Sequence, residues 1–341
     1  MAAACRVEQG GDIDRRRLLQ GLFSAALAPR AAVGSAVSVA AGATVSAAAH
    51  ATPTAHAGAP SGEWREVGFG FQRLDLKLPG QRDIARHAAV LVPPGVRPGR
   101  RLSVLVLLHG YAQARRTGRA DDDLRATRAW ERDYGVTRAA QRLASPPIER
   151  LYPRAGYVSD EHLAGLNRAL RERPAEPLVL VCPRTPVPYY EQRTTPLFEA
   201  YARWITSVLL PEVRRRAPAS QLPARAGIAG HSMGGEVALE VFARRPRAFG
   251  ACMLLQPALL TRRAPSYAER LASLPAPKLH LLTTTRDPYR AATRALKSHL
   301  ERAEVSPQFT ETSGPHTASL VKEIGAITAL HWMSQVLSPS T

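Results

Sequence analysis

The chain has 341 residues, 45% of them hydrophobic and 22% charged, enough apolar side chain for one large core or two small ones. A formal net charge of +18 raises the question of a nucleic-acid partner. The arginines are scattered, only Lys77, Lys278, Lys297 and Lys322 are lysines, and no aromatic residues interleave with a basic stripe, so no nucleic-acid partner is expected.

The first 57 residues read differently from the rest. Arg15 and Arg16 precede Leu18, Leu19 and Gln20, a pattern that resembles the twin-arginine export consensus, and a run rich in Ala, Gly, Ser and Val follows. Small-x-small sites after Ala51 and Ala57 offer cleavage points, which predicts an export signal over 1–57 and a mature chain from Gly58. The membrane would then be met only in transit, with a periplasmic or secreted product. The rival reading is an uncleaved anchor over 31–49, although Pro29 and Arg30 interrupt that run. Cys5 falls in the signal, whereas Cys182 and Cys252 sit in apolar runs on predicted strands that are not neighbours and read as buried free thiols, with one disulfide in an oxidising periplasm as the alternative.

From Gly68 onward strand and helix patterns alternate. "FGFQRLDLKLP" and "ARHAAVLVPPG" have strand periodicity around "GQRD" and predict an antiparallel edge hairpin. "LSVLVLLHG", "LVLVCP", "AGIAGHS", "GACMLLQP" and "KLHLLTTTRD" are apolar runs of the kind strands show when both faces are covered. Between them, "TPLFEAYARWITSVLLPEVRRRA", "GGEVALEVFARRP" and "YRAATRALKSHLERA" carry helical apolar spacing. The alternation predicts a single α/β domain over 58–341, a mostly parallel sheet with helices on both faces. Residues 112–177 fit the rhythm least. They read as one helix over "TRAWERDYGVTRAAQRLA" and a long excursion at a strand's C-terminal end, where the ligand crevice of an open α/β sheet lies.

In "IAGHSMGGEVAL" Ser232 falls between a predicted strand and a predicted helix, the position a strained nucleophile turn requires. A serine hydroxyl needs a base, and the base needs a carboxylate to orient it. Asp287 follows the strand "HLLTTT" and is the only aspartate after Ser232; Glu311, on the next predicted strand, is the alternative acid. His316, in a loop after "PQFTET", is the candidate base, whereas His280, His299 and His331 lie within predicted strands or helices and read as structural. The Met233 N–H, directly after the serine, is the expected first oxyanion donor, and the Tyr111 N–H, in the loop that His109 and Gly110 shape, the second. Tyr189, Tyr190 and Arg193 follow the strand ending near Cys182 and are candidate pocket residues, with a plain surface loop as the alternative.

With these residues in place, "LLHGYAQ", "FEAYARWITSVLLPEV", "IAGHSMGGEVAL" and "RDPYRAATRALKSHL…TETSGPHTASL" are similar to the esterase family of α/β-hydrolases. That family includes esterase D-like enzymes, enterochelin esterases and the antigen 85 mycolyltransferases. The resemblance runs from Phe69 to Leu337 and implies a nucleophile, acid and base at Ser232, Asp287 and His316. One departure is "SGPHTASL", where relatives often carry an aromatic soon after the histidine. The expectation is an exported serine hydrolase acting on small-molecule or polymer-linked carboxylic esters with no cofactor and no metal. A cell-envelope acyltransferase on the same triad is the alternative, and a noncatalytic binding protein on the same fold a third reading.

Overall fold

The computed structural model describes residues 62–81, 84–115, 122–152, 156–188 and 194–338. The export segment and the candidate pocket residues Tyr189, Tyr190 and Arg193 lie outside the described residues. Among the described residues there are nine strands: β1 (Trp64–Val67), β2 (Phe71–Lys77), β3 (His87–Val92), β4 (Ser103–Leu108), β5 (Leu178–Pro183), β6 (Ala226–His231), β7 (Ala251–Leu255), β8 (Leu279–Arg286) and β9 (Gln308–Pro315). They form one sheet in the order β1-β2-β3-β5-β4-β6-β7-β8-β9. Strands β1 to β3 are antiparallel and the rest, from β5 across to β9, are parallel.

The alternation of side chains along a strand sorts the core into two layers. In β4, Val104, Val106 and Leu108 join one buried cluster while Leu105 and Leu107 join the other. The first face is covered by Phe198 and Tyr201 of α6 (Thr194–Trp204), Val213 of α7 (Leu210–Arg216), Val237 of α8 (Met233–Arg244), Tyr267 of α9 (Ala264–Ala272) and Leu296 of α10 (Arg290–Arg302). A single π turn, Ile205–Leu209, joins α6 to α7, so the long amphipathic run reads as one rod with a bulge. The second face is covered by Ile327, Leu330 and Met333 of α12 (Ala326–Val336) and by segments from the excursion.

The predicted single helix over Thr127–Ala144 is broken in the structure. It becomes α3 (Ala129–Arg132) and α4 (Val136–Ala144), which meet at Gly135, a left-handed residue with φ 62°. Short helices α1 (Tyr111–Arg115) and α2 (Asp122–Thr127) precede the break. The remainder of the excursion contains a further helix, α5 (Asp160–Glu172), capped by the Ser159 hydroxyl, which accepts from the His162 amide at 3.1 Å. Trp130, Tyr134, Val136, Leu143 and Leu170 are buried in the second core layer, so this region builds core as well as surface.

Candidate active site

Strand β6 ends at His231 and α8 begins at Met233, leaving Ser232 alone in the turn with φ 59° and ψ −122°. That conformation is costly for a residue with a Cβ and persists only when its surroundings over-determine it. Here the Ser232 amide donates to Leu255 O of β7 at 3.0 Å, and its carbonyl accepts from the amides of Gly235 and Ala258. The flanking glycines are sterically obligatory. A Cβ on Gly230 would stand 2.1 Å from Gly234 O, and one on Gly234 would stand 2.3 Å from Leu108 O. The Met233 amide, the first of α8, belongs to the set of N–H groups that a helix leaves without an intrahelical partner.

Two loops from neighbouring strands reach this serine. Strands β8 and β9 pair in parallel so that Arg286 lies opposite Pro315, which brings the residues that follow, Asp287 and His316, side by side. The register shifts between Thr284 and Arg286, a local irregularity of the sort that re-aims a side chain at a strand end. His316 Nε2 lies 2.8 Å from Ser232 Oγ, and its Nδ1 lies 3.0 Å from Asp287 Oδ1. Asp287 is itself held: Oδ2 accepts from the Thr283 hydroxyl at 3.0 Å and Oδ1 from the Tyr289 amide at 2.9 Å. With Nδ1–H directed at the carboxylate, Nε2 is the acceptor facing the serine hydroxyl. The Asp287 side chain is fully buried, whereas that of His316 keeps 19% exposure. Glu311, the alternative acid, is occupied elsewhere: Arg290 and Arg294 both donate to it, and they hold its carboxyl below the usual carboxylate range.

A second layer of side chains ties these loops together. The His231 ring stacks on His316 with 5.1 Å between centroids. Its Nε2 lies 3.3 Å from Gln256 Oε1 and its Nδ1 3.2 Å from the Tyr134 hydroxyl. Gln256 Nε2 in turn donates to Thr284 Oγ1 and to Pro315 O, the carbonyl just before His316. Tyr134 accepts from the Gly110 amide at 3.1 Å, in the turn that follows β4. Burial, with the neighbouring His316 adding to it, pushes the His231 ring down to about 3, so it is neutral beside the base. His109 is neutral too, held at about 4 by burial; its Nε2 accepts from the Thr185 amide at 2.9 Å and its Nδ1 meets Gly110 O at 3.0 Å. His109 therefore fixes the turn and lies outside the serine-histidine-aspartate chain. Tyr111 opens α1 directly after that turn.

Tyr134 and Gln256 escaped the sequence reading. Gln256 left one signal, since it ends "ACMLLQ" at the C-terminal edge of the strand beside the nucleophile. Tyr134 left none, because "RDYG" meets the site only through tertiary folding.

A mostly parallel sheet with a strained serine after one central strand, and an acid and a histidine after two later ones, defines the α/β-hydrolase fold. Within that class, residues 167–305 match the family described as "Putative esterase". No curated protein matches the chain. Among solved structures, the chain is similar to S-formylglutathione hydrolase from Staphylococcus aureus, at 16% identity and TM-score 0.51, over 79% of this chain and 98% of that one. It is similar to a ferulic acid esterase at 14% identity and TM-score 0.55, over 79% of this chain and 100% of the other. The S-formylglutathione hydrolase of Agrobacterium tumefaciens gives 14% identity and TM-score 0.50 over 82% and 99%. At these identities the likeness is one of fold.

Proposed function

We propose that the protein hydrolyses carboxylic esters through an acyl-enzyme at Ser232. The observation that carries the reading is the continuous chain from Ser232 Oγ through His316 to a buried Asp287, built on a serine held at positive φ. Ser232 Oγ attacks the ester carbonyl carbon as its proton passes to His316 Nε2, and the imidazolium that forms is stabilised by Asp287. The Met233 and Tyr111 amides are assigned to the developing oxyanion, each donor of this kind being worth on the order of 10²–10³ in rate. His316 then gives its proton to the departing alcohol. Water attacks the acyl carbon, loses a proton to His316, and frees the acid as the proton returns to Ser232.

The test is a p-nitrophenyl ester series of increasing acyl length combined with fluorophosphonate labelling. Wild type is expected to label rapidly, and Ser232→Ala to lose labelling and at least about 10³-fold in kcat. A serine-to-alanine variant that kept near-normal turnover would refute the assignment. Running the assay with added alcohol or sugar acceptors reports whether the acyl group goes to water or to a hydroxyl acceptor, which separates hydrolase from acyltransferase. Residues 1–57 support export by the twin-arginine route, and fractionation of a tagged chain, with Arg15 and Arg16 replaced by lysine as control, tests that assignment.

A further inference from the structure

At the end of the sheet remote from Ser232, two cavities adjoin and offer opposite chemistries. The first, about 310 Å³, is walled by Phe69, Phe71, Leu143, Leu178, Leu180 and Leu330, with few polar groups at its rim. The second is an open groove of about 930 Å³ carrying Arg100, Arg101, Arg173 and Arg225. They share Glu176 and Pro177, so the apolar cavity opens beside the guanidinium groups. Both volumes fall in the range of about 300–1,000 Å³ typical of small-molecule sites.

The charge of the groove is not cancelled from within. Glu176 pairs with Arg100 at 2.5 Å and is the one carboxylate among the described residues that line the groove. The other three arginines bond to neutral oxygens: Arg101 to Ala217 O, Arg173 to Gln335 O and Arg225 to Ser103 Oγ. A guanidinium has five N–H donors, so each keeps donors for a further acceptor. Elsewhere arginines such as Arg73, Arg128 and Arg263 lie directly on carboxylates; here three that bond only neutral oxygens line one groove. Phe69 adds a second sign of a built site. It stands at the mouth of the apolar cavity, 45% exposed and with φ 63°, where a bulky side chain in the left-handed region carries strain.

We propose that this end of the sheet binds an amphiphile with one apolar chain and an anionic headgroup. The chain enters the cavity beneath Leu143 and Leu330, and the arginines receive a carboxylate or phosphate, for which their forked donors are suited. The site is separate from the catalytic one. Arg225 precedes β6 and Ser232 follows it, and a strand rising about 3.3 Å per residue puts roughly 20 Å between the two ends. The bound molecule is therefore a ligand of the scaffold, and the inference stands whether or not Ser232 cleaves esters.

The experiment titrates the full chain with monomeric dodecanoate and with dodecanol by calorimetry, and sediments it with phosphatidylglycerol or phosphatidylcholine vesicles. Ala144→Trp fills the cavity from an exposed position of α4, and Ala140→Leu replaces it if the tryptophan variant does not fold. A triple Arg101→Gln, Arg173→Gln, Arg225→Gln variant removes the charge. Expected are single-site binding of dodecanoate, a loss of tenfold or more in both variants, dodecanol binding insensitive to the arginine changes, and unchanged p-nitrophenyl ester turnover. Dodecanoate binding identifies free fatty acid as a sufficient ligand; variant-sensitive sedimentation with phosphatidylglycerol alone identifies a membrane lipid. Absence of binding to both probes, or binding that survives both the cavity-filling and the arginine variants, overturns the proposal.

Discussion

Ser232 is a good nucleophile candidate because several residues agree on its conformation, and removing any of them has a calculable consequence. Gly230 and Gly234 permit the turn, Leu255 and Ala258 anchor its amide and carbonyl, and His316 meets its hydroxyl. Tyr134 acts one step further out. Its hydroxyl satisfies the Gly110 amide and contacts both Gln113 and His231, in a place that water does not readily reach. Tyr134→Phe keeps the ring and its edge contact with Trp130 while leaving the Gly110 N–H without its acceptor. A buried donor stripped of its partner costs about 1–3 kcal/mol. Because Gly110 precedes the proposed oxyanion donor Tyr111, the expected result is a kcat lower by about tenfold, equivalent to about 1.4 kcal/mol of barrier, with KM little changed. Steady-state kinetics on one chromogenic ester measures both quantities. A fall in thermal midpoint with kcat intact would show that Tyr134 serves packing alone.

At the scale of elements, the histidine loop is secured from behind by a π turn. His316 is followed by α11 (Ala318–Leu320), a π turn over Val321–Gly325 and then α12. Glu323 in that turn is 2% exposed, and its carboxylate accepts from the amides of Leu151 and Tyr152 at 2.9–3.0 Å, while its carbonyl accepts from Arg142. The excursion is thus stapled to the segment bearing the base, and a second contact joins the Thr312 hydroxyl to Tyr157 O. Glu323→Ala leaves two amides without acceptors and is expected to destabilise the fold by about 1–3 kcal/mol per unsatisfied group, read by urea denaturation. This staple explains where sequence reasoning stopped. Strands β4 to β8 were legible because burial on both faces writes unbroken apolar runs; Asp287 follows such a strand, whereas β9, half-buried and polar, marks His316 only through the loop that succeeds "PQFTET". The excursion was not: Gly135 interrupts a helical apolar pattern without erasing it, and Glu323 looks like an ordinary charged residue in a helix until Leu151 and Tyr152 are folded against it.

For the whole molecule, three neutral histidines buried in different places make stability depend on pH in a defined direction. His231 is held at about 3 by burial and its neighbour His316, and His109 at about 4 by burial. His280, in β8 against Trp332 and bonded through Nε2 to Thr310 Oγ1, is held at about 4, again by burial. In the unfolded chain each would titrate near 6.5. Between about pH 6.5 and 4 the unfolded state therefore binds protons that the folded state does not, so stability rises with pH through this window. It is fully present above pH 6.5 and is lost as the medium is acidified toward 4. Each histidine contributes a slope of about 1.4 kcal/mol per pH unit. The stabilising carboxylates act lower. Glu240 and Glu311, both held below their usual value, by Tyr267 and arginines in the first case and by Arg290 and Arg294 in the second, lose their contribution only as pH falls below the ordinary carboxylate range. The interval from pH 7 to 5 isolates the histidines. His280 is the one to replace, since it touches none of Ser232, Asp287 or His316. For His280→Asn, the drop in unfolding free energy between pH 7 and pH 5 is expected to be smaller than that of wild type by about 2 kcal/mol, one proton's share over that interval. Urea titrations at the two pH values supply both differences, and equal drops in wild type and variant would show that His280 does not enter the folded protein uncharged.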